Sequence, residues 1–379
     1  MHFAFAIVSL FPGGGLQRDC IDIARRVRTL GHDVTIFTSR KSDHEFAEDI
    51  PVRVLPVEGY TNHRRQSAFS GEFKRAASGK FDTLVGFDKL SGLDILYCSD
   101  RSMQARAARN PILHLLPRYW EYIDLEKECF APKRSTKILL LSEPQLNEYW
   151  NSWTTEPDRL VMLPPTLTTA RRRPECRSDG TREEWRKRLG LSGDEWTWIS
   201  IGVQPRTKGI DRTIRALRHF PDARLLIVGL DELEVKSVRI RRLARWLGVA
   251  DQIKWLGHRE EVPELMSAAD VFVHPARYDT TGTVILEAIA NGLPVITTSA
   301  CGYAKHVSGA NAGIVIPETF HQRTLVAALE TGHDPACLAN WSRSASKYGE
   351  QSSLYQGTKR AAELIVADAA EGRHRPAGG

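Results

Sequence analysis

The sequence has no run approaching the roughly 20 uninterrupted apolar residues that a membrane span needs. Its apolar runs are short, such as Ile138-Leu139-Leu140-Leu141. The apolar start from Met1 to Phe11 lacks a preceding Lys or Arg and a small-x-small cleavage pattern, so it reads as a first core strand and not as a signal peptide. The six cysteines (Cys20, Cys98, Cys129, Cys176, Cys301, Cys337) include no Cys-x-x-Cys pair. That excludes a zinc ribbon and a dense disulfide scaffold and points to free thiols in a reducing cytoplasm. No Asp-x-Asp occurs, and no short internal repeat or low-complexity tract is found.

What is present is a globular composition, 42% hydrophobic and 26% charged over 379 residues, enough for two domains with real cores. The net charge of +6 and pI near 9.0 fit an anionic partner: a nucleotide, a phosphorylated substrate or an anionic membrane surface. Nucleic acid rests on charge alone, since no helix-turn-helix, zinc or RNP-like pattern accompanies it, and is set aside.

Short apolar runs alternate with amphipathic segments along the whole chain, the pattern of parallel sheets covered by helices. The fold class is therefore α/β, with two Rossmann-like halves. Strands are predicted at residues 3–8, 34–38, 52–57, 83–87, 95–98, 137–141 and 160–163, then at 198–201, 224–228, 253–256, 271–274, 295–298 and 314–316. The first helix carries Leu16, Cys20, Ile23, Val27 and Leu30 at spacings of three and four, with Gly31 ending it. Residues 1–165 form the expected first domain, the Arg- and Pro-rich stretch 166–181 a linker, and 182–334 the second domain. Residues 335–371 read as helices returning towards the first domain, and 372–379 as a disordered tail.

Three segments carry chemistry. Phe11-Pro12-Gly13-Gly14-Gly15-Leu16-Gln17-Arg18-Asp19 joins a strand to a helix, where glycines let backbone amides approach an anion. It is not a Gly-x-Gly-x-x-Gly loop, and Thr38-Ser39-Arg40 supplies no acid after the second strand, so a dinucleotide is disfavoured. A tight turn without a ligand is the other reading. Gly202 to Gly209 ends a strand with Arg206 and Lys208, two cations suited to a diphosphate at the sheet's carboxyl edge, although solvated cations are common. His274 to Glu287 sets Asp279 and Glu287 eight residues apart around Thr281, Gly282 and Thr283, an anion site at a helix start flanked by carboxylates for sugar and ribose hydroxyls. Alternatively, Asp279 and the threonines merely cap that helix and Glu287 is a surface charge.

In this order Gly14-Gly15, Lys208-Gly209 and the acid-x7-Glu spacing resemble the retaining GT-B glycosyltransferases of family 4, two Rossmann-like domains facing across a cleft. Within that family, Phe11-Pro12, Gly14 to Asp19, Thr61-Asn62-His63, Gly92-Leu93-Asp94, Leu163-Pro164-Pro165 and Cys301-Gly302-Tyr303-Ala304 are similar to the lipopolysaccharide-core heptose α-1,3-glucosyltransferases, through nearly the whole chain. The resemblance implies transfer of glucose from UDP-glucose to an inner-core heptose, with retention, in outer-core assembly. It gives catalytic roles to Arg206, Lys208, Asp279 and Asp100, donor binding to Gly14, Gly15 and Glu287, and acceptor binding to Asp19; the anion site at Thr281, Gly282 and Thr283 adds to donor binding and the basic loop at His63 and Arg64 to acceptor binding. Asp279 stands where the family usually has Glu, and Thr207 separates Arg206 from Lys208 where many members have Arg next to Lys.

No cofactor and no essential metal are expected. Without Asp-x-Asp the diphosphate must be met by fixed cations and helix dipoles. Tyr60 to Arg65 offers donors for a phosphorylated sugar or is simply a solvated basic loop. From Met103 to Lys137, Arg106, Arg109, Arg118, Lys127, Lys133, Arg134 and Lys137 interleave with Ile112, Leu113, Leu115, Leu116, Tyr119, Trp120 and Tyr122. That mixture suits peripheral attachment to the anionic inner face of the inner membrane, where relatives meet a lipid-anchored lipopolysaccharide core; alternatively Leu115, Trp120 and Tyr122 belong to the core. Competing readings are another UDP-hexose or a UDP-N-acetylhexosamine as donor, a UDP-sugar 2-epimerase, and a non-catalytic nucleotide-sugar or anionic-lipid binding protein, which the retained Lys208, Glu287 and Gly14-Gly15 oppose.

Overall fold

Residues that alternate in the sequence go to opposite faces of a strand, and here both faces are apolar because helices cover both. In a computed structural model that describes residues 1–12, 14–42 and 47–373, the chain forms two compact units, Met1–Pro165 with Gln356–Gly379, and Thr166–Tyr355. The first holds a seven-stranded parallel sheet in the order Val52–Val54, Asp33–Thr38, His2–Ala6, Thr83–Gly86, Ile95–Cys98, Lys137–Leu140, Leu160–Met162. Phe3 and Phe5 of its central strand face Cys20, Ile23 and Val27, while Ala4 and Ala6 face Phe37, Phe69 and Phe73 on the other side. A short pair, Ser9–Leu10 with Arg40–Lys41, was not foreseen because two residues carry no periodicity.

The second unit has six parallel strands in the order Ile253–Trp255, Arg224–Val228, Thr197–Ile201, Val271–His274, Val295–Thr298, Gly313–Ile316. Ile199, Val228 and Phe272 enter one core and Trp198, Ile227 and Val273 the other.

Two expected boundaries move. Residues 166–181 do not stand apart as a linker; they belong to the second unit, where Cys176 is buried and Arg173 N–H donates to Asn291 Oδ1 at 2.6 Å. The reason is a helix end. The last carbonyls of helix Val262–Ala268 need partners, and guanidinium groups of Arg177, Arg182 and Arg186 supply them at Met266 O (3.2 Å), Ser267 O (2.6 Å) and Ala268 O (2.9 Å). Of residues 335–371, helix Pro335–Gly349 stays with the second unit, Ser342 Oγ donating to Gly292 O at 2.7 Å, and only helix Gly357–Arg373 joins the first. That last helix sets Ala361, Ala362 and Ile365 against Ile21 and Ala24 in one core, and Lys137 pairs with Asp368 at 2.7 Å. Gly372 and Arg373 close the helix; 374–379, and Gly13 of the first loop, lie outside the described residues.

The most buried acid in the Met103–Lys137 segment ties it to its neighbours. Glu126, on helix Pro117–Phe130 and fully buried, accepts from Lys89 Nζ (2.9 Å), Ser102 Oγ (2.6 Å), Met103 N (2.8 Å) and Trp153 Nε1 (2.7 Å). Burial opposes its charge, but Lys89 and these donors hold its carboxyl below the usual range, and the Lys89 ammonium is likewise stabilised by Glu126 against the cost of burial. Removing one partner leaves a buried charge, so Glu126→Ala is expected to lower stability by about 3–5 kcal/mol in urea unfolding. A loss below about 1 kcal/mol, the size of an ordinary hydrogen bond, would show the pair to be dispensable.

Candidate active site

In a parallel sheet the loops after each strand gather at the carboxyl edge, where ligands of such folds bind. Three loops of the second unit meet there. The first, after Thr197–Ile201, passes Arg206 and Lys208 to Gly209, whose φ of 73° and position leave no room for a side chain: a Cβ would lie 2.0 Å from Pro275 O. Arg277 ties this loop to the second, its N–H donating to Thr207 O at 2.8 Å and its guanidinium to Arg206 O at 2.7 Å and to Asp211 at 2.7 and 2.8 Å. The third loop pairs with the second through Gly302 N to Asp279 O at 3.1 Å and Tyr303 N to Thr281 O at 2.7 Å.

These staples fix Asp279. Its Oδ2 accepts from Lys208 Nζ at 2.6 Å and from His274 Nε2 at 3.0 Å, and its Oδ1 from Gly282 N at 3.1 Å. His274 is 2% exposed at the end of its strand and stacks on Phe272. Burial works against its charged form, but hydrogen bonds to Asp279 and Cys301 raise its pKa to about 9, making it an imidazolium at neutral pH. Burial likewise opposes the charge of Asp279, yet His274 and Lys208 hold its carboxyl well below the usual range. Two cations on one carboxylate leave a surplus positive charge. It sits beside the start of helix Thr283–Ala290, whose preceding residue Gly282 is left-handed at φ 75°. Thr281 and Thr283 hydroxyls lie 3.3 Å apart there, and Glu287 is buried at 7% exposure, not a surface charge.

His274, Asp279 and Cys301 bring three donor atoms within 4.8 Å of one another, a set that could hold a metal by type. Lys208 already occupies the shared oxygen at 2.6 Å, and an ammonium there repels a divalent cation, so the set does not suit one.

Lys208, Asp279, Thr281, Gly282 and Thr283 are thus brought together, with Glu287 in the same helix. Arg206 is exposed and lines a neighbouring groove with Arg215, Arg239, Ile240, Leu243 and Trp246. Sequence reasoning missed His274 as an ion-pair partner; its place at a strand end, five residues before Asp279, was the available signal.

On the first unit, Gly14 caps helix Gly15–Thr29, and a Cβ on it would strike Gln17 Oε1 at 1.9 Å, whereas one on Gly15 would meet nothing within 4 Å. Asp19 accepts from Tyr97 Oη at 2.9 Å, and burial raises its pKa to about 6. Asp88, unforeseen although it follows a strand end, accepts from Val8 N at 2.7 Å and is likewise raised by burial to about 6. Asp100 is exposed just beyond strand Ile95–Cys98, with its carbonyl accepting from Tyr149 Oη at 3.2 Å. His63 lines a cavity of about 390 Å³ with Thr61, Asn62, Arg106, Arg118 and Tyr122; Arg64 is exposed and lies outside that lining.

Comparison with known proteins places this geometry. The model of the family described as glycosyl transferases group 1 matches residues 181–346. The lipopolysaccharide glucosyltransferase WaaG of Escherichia coli (strain K12) is 33% identical over 376 residues, covering 97% of this chain and 99% of that protein. A crystal structure of WaaG, a glycosyltransferase involved in lipopolysaccharide biosynthesis, matches with a TM-score of 0.87 at 32% identity, over 96% of this chain and 99% of that one. Anabaena HepE in complex with UDP-glucose shares the fold, with a TM-score of 0.73 at 16% identity over 98% and 100% of the two chains.

The His274 imidazolium has a pH signature. Its folded pKa lies above the ordinary value, so the stability it contributes is present in full below about pH 6.5 and is lost as pH rises through about 9. Relative to His274→Gln, the wild type is expected to lose about 2–3 kcal/mol of its advantage between pH 7 and pH 10 in urea unfolding. Parallel pH profiles for the two proteins would remove the charge assigned to His274.

Proposed function

Since the chain belongs to the group 1 glycosyltransferases of GT-B fold and is a sugar-transferring enzyme, we propose that it moves glucose from UDP-glucose to an inner-core heptose of lipopolysaccharide. The linkage is α-1,3 and the anomeric configuration is retained. The observation that carries this reading is the positively charged cluster of Lys208, His274 and Asp279 beside the start of helix Thr283–Ala290.

The reaction breaks the bond between the anomeric carbon and the diphosphate and forms one to an acceptor hydroxyl, whose proton leaves with UDP. Negative charge develops on the departing phosphate, and preorganised donors aimed there lower the barrier. Lys208 supplies an ammonium and exchanges Asp279 for the diphosphate, the His274 imidazolium behind Asp279 adds a second positive charge, and the amides around Thr281, Gly282 and Thr283 add the helix N-terminus; Arg206, in the neighbouring groove, would join them only by turning its side chain. Asp279, kept ionised by His274, then accepts from hydroxyls of the transferred sugar, and Glu287 accepts from the ribose diol. Gly14 and Gly15 admit the donor to the first unit, where Asp19, Asp100, His63 and Arg64 serve the acceptor. No metal takes part in this scheme, because the fixed cations already meet the diphosphate.

The acceptor is lipid-anchored, and the surface to reach it is on the first unit. Ile112, Leu115 and Trp120 are 70%, 79% and 52% exposed among Arg106, Arg109, Arg118 and Lys127, so Leu115 and Trp120 are not core residues. Bare apolar groups among cations suit the headgroup boundary of an anionic leaflet. Attachment by this surface is peripheral in this reading, at the cytoplasmic face of the inner membrane; separately, among the described residues no helix is long and apolar enough to cross a membrane.

Mass spectrometry of heptose-terminated lipopolysaccharide, incubated with enzyme, chelator and UDP-glucose, UDP-galactose or a UDP-N-acetylhexosamine, tests the reaction. A hexose added from UDP-glucose is expected; addition only from another donor would reassign the sugar, and no product from any would overturn the reading. Lys208→Ala should fold normally and lose about 100 to 1,000-fold in turnover. Leu115→Ser with Trp120→Ser should weaken binding to phosphatidylglycerol vesicles by at least about tenfold, given the apolar area withdrawn from the interface; unchanged flotation would remove this surface from membrane attachment.

A further inference from the structure

The cavity of about 390 Å³ on the first unit gathers positive charge without neutralising it. Arg106, from helix Met103–Arg109, and Arg118, from helix Pro117–Phe130, both lie over the ring of Tyr119, at 5.8 and 5.3 Å from its centroid. The shared ring holds two like charges together, and among the described residues neither guanidinium has a carboxylate partner. Such a pair is unfavourable until an anion joins it.

The facing wall is the start of helix Asn62–Ala77, with Thr61, Asn62 and His63 in the lining. This first turn has no acidic residue and no side-chain cap; the Thr61 hydroxyl is engaged with His63 Nε2 at 3.1 Å instead. The helix therefore presents uncapped N–H groups and the positive end of its dipole. Tyr122 adds a phenol kept protonated by burial and by the charges of Asp100 and Asp88. Glu121, the acid next to Tyr122, accepts from Ser67 Oγ at 3.2 Å.

We propose that this cavity is a phosphate-recognition site in which Arg106 and Arg118 grip one phosphate group against the start of helix Asn62–Ala77. Guanidinium forks match phosphate oxygens in pairs, which a lysine cannot do. The volume falls in the range of roughly 300–1,000 Å³ that holds small organic ligands, so the phosphate enters with its sugar or glycerol attached. The inference rests on the proposed lipid-linked acceptor and adds to it a phosphate requirement borne by two arginines outside the sugar-transfer residues. The same chemistry has two sources, a phosphate ester on the core saccharide or the headgroup of an anionic phospholipid.

The test uses the full chain and Arg106→Ala/Arg118→Ala, with Lys74→Ala/Lys80→Ala removing the same charge from exposed positions outside the membrane-facing segment. Calorimetry with glucose 6-phosphate against glucose reads the ester, and flotation with phosphatidylglycerol against phosphatidylcholine vesicles reads the headgroup. The expected result is that at least one phosphate-bearing probe binds the wild type and weakens about tenfold for each arginine removed, while the control pair retains binding. Loss only for glucose 6-phosphate assigns the saccharide ester, and loss only for phosphatidylglycerol assigns the lipid. Equal binding by wild type and the arginine pair, equal loss in the control pair, or no binding of either probe would overturn the proposal. Both variants replace exposed side chains, and a thermal melt confirms that each folds. Wild-type UDP binding is measured alongside, so that failure of the glycosyltransferase reading is told apart from failure of this site.

Discussion

One carboxylate oxygen organises the second unit's site: Oδ2 of Asp279 accepts from both an ammonium and an imidazolium. A carboxylate buried this far is tolerable only with its charge compensated, and compensation by two cations reverses the sign of the cluster. The loops must then hold still enough for three partners to converge, which is why Gly209 sits against Pro275 and why Arg277 clamps Thr207 and Asp211. An anion meets charges already in place, with little reorganisation left to occur during the reaction.

The first unit applies the same device to a different end. Glu126 collects five donors in a dry core, and the helix that carries it shows another side to solvent with Trp120 half exposed. A rigid inner anchor frees the outer face from any stabilising duty. Its arginines and apolar groups can be placed for contact with something else.

The strands were legible because each is a short apolar run between breakers, and all thirteen strands of the two main sheets fall where that pattern puts them, with ends shifting by a residue or a few. The 166–181 stretch reads as a solvated run from its arginines, whereas Arg173 pairs with Glu264 and Arg177 meets the carbonyl end of helix Val262–Ala268 at Met266 O, contacts about 90 residues distant in sequence. Lys208, Asp279 and the turn at Gly282 were legible from spacing. The His274 charge was not, since it depends on burial and on an aspartate carboxylate whose orientation only the folded loop defines. Arg206 illustrates the converse: two positions from Lys208 in sequence, it lines a different groove.

The chain leaves its first unit at Pro165 and re-enters it at Gln356, so the helix Gly357–Arg373 that covers Ile21 and Ala24 is made only after the whole of the second unit. During synthesis the second unit, continuous in sequence, can finish folding while the first still exposes an apolar stripe on its opening helix. A chain cut before Gly357 therefore has one finished half and one half with an uncovered apolar stripe.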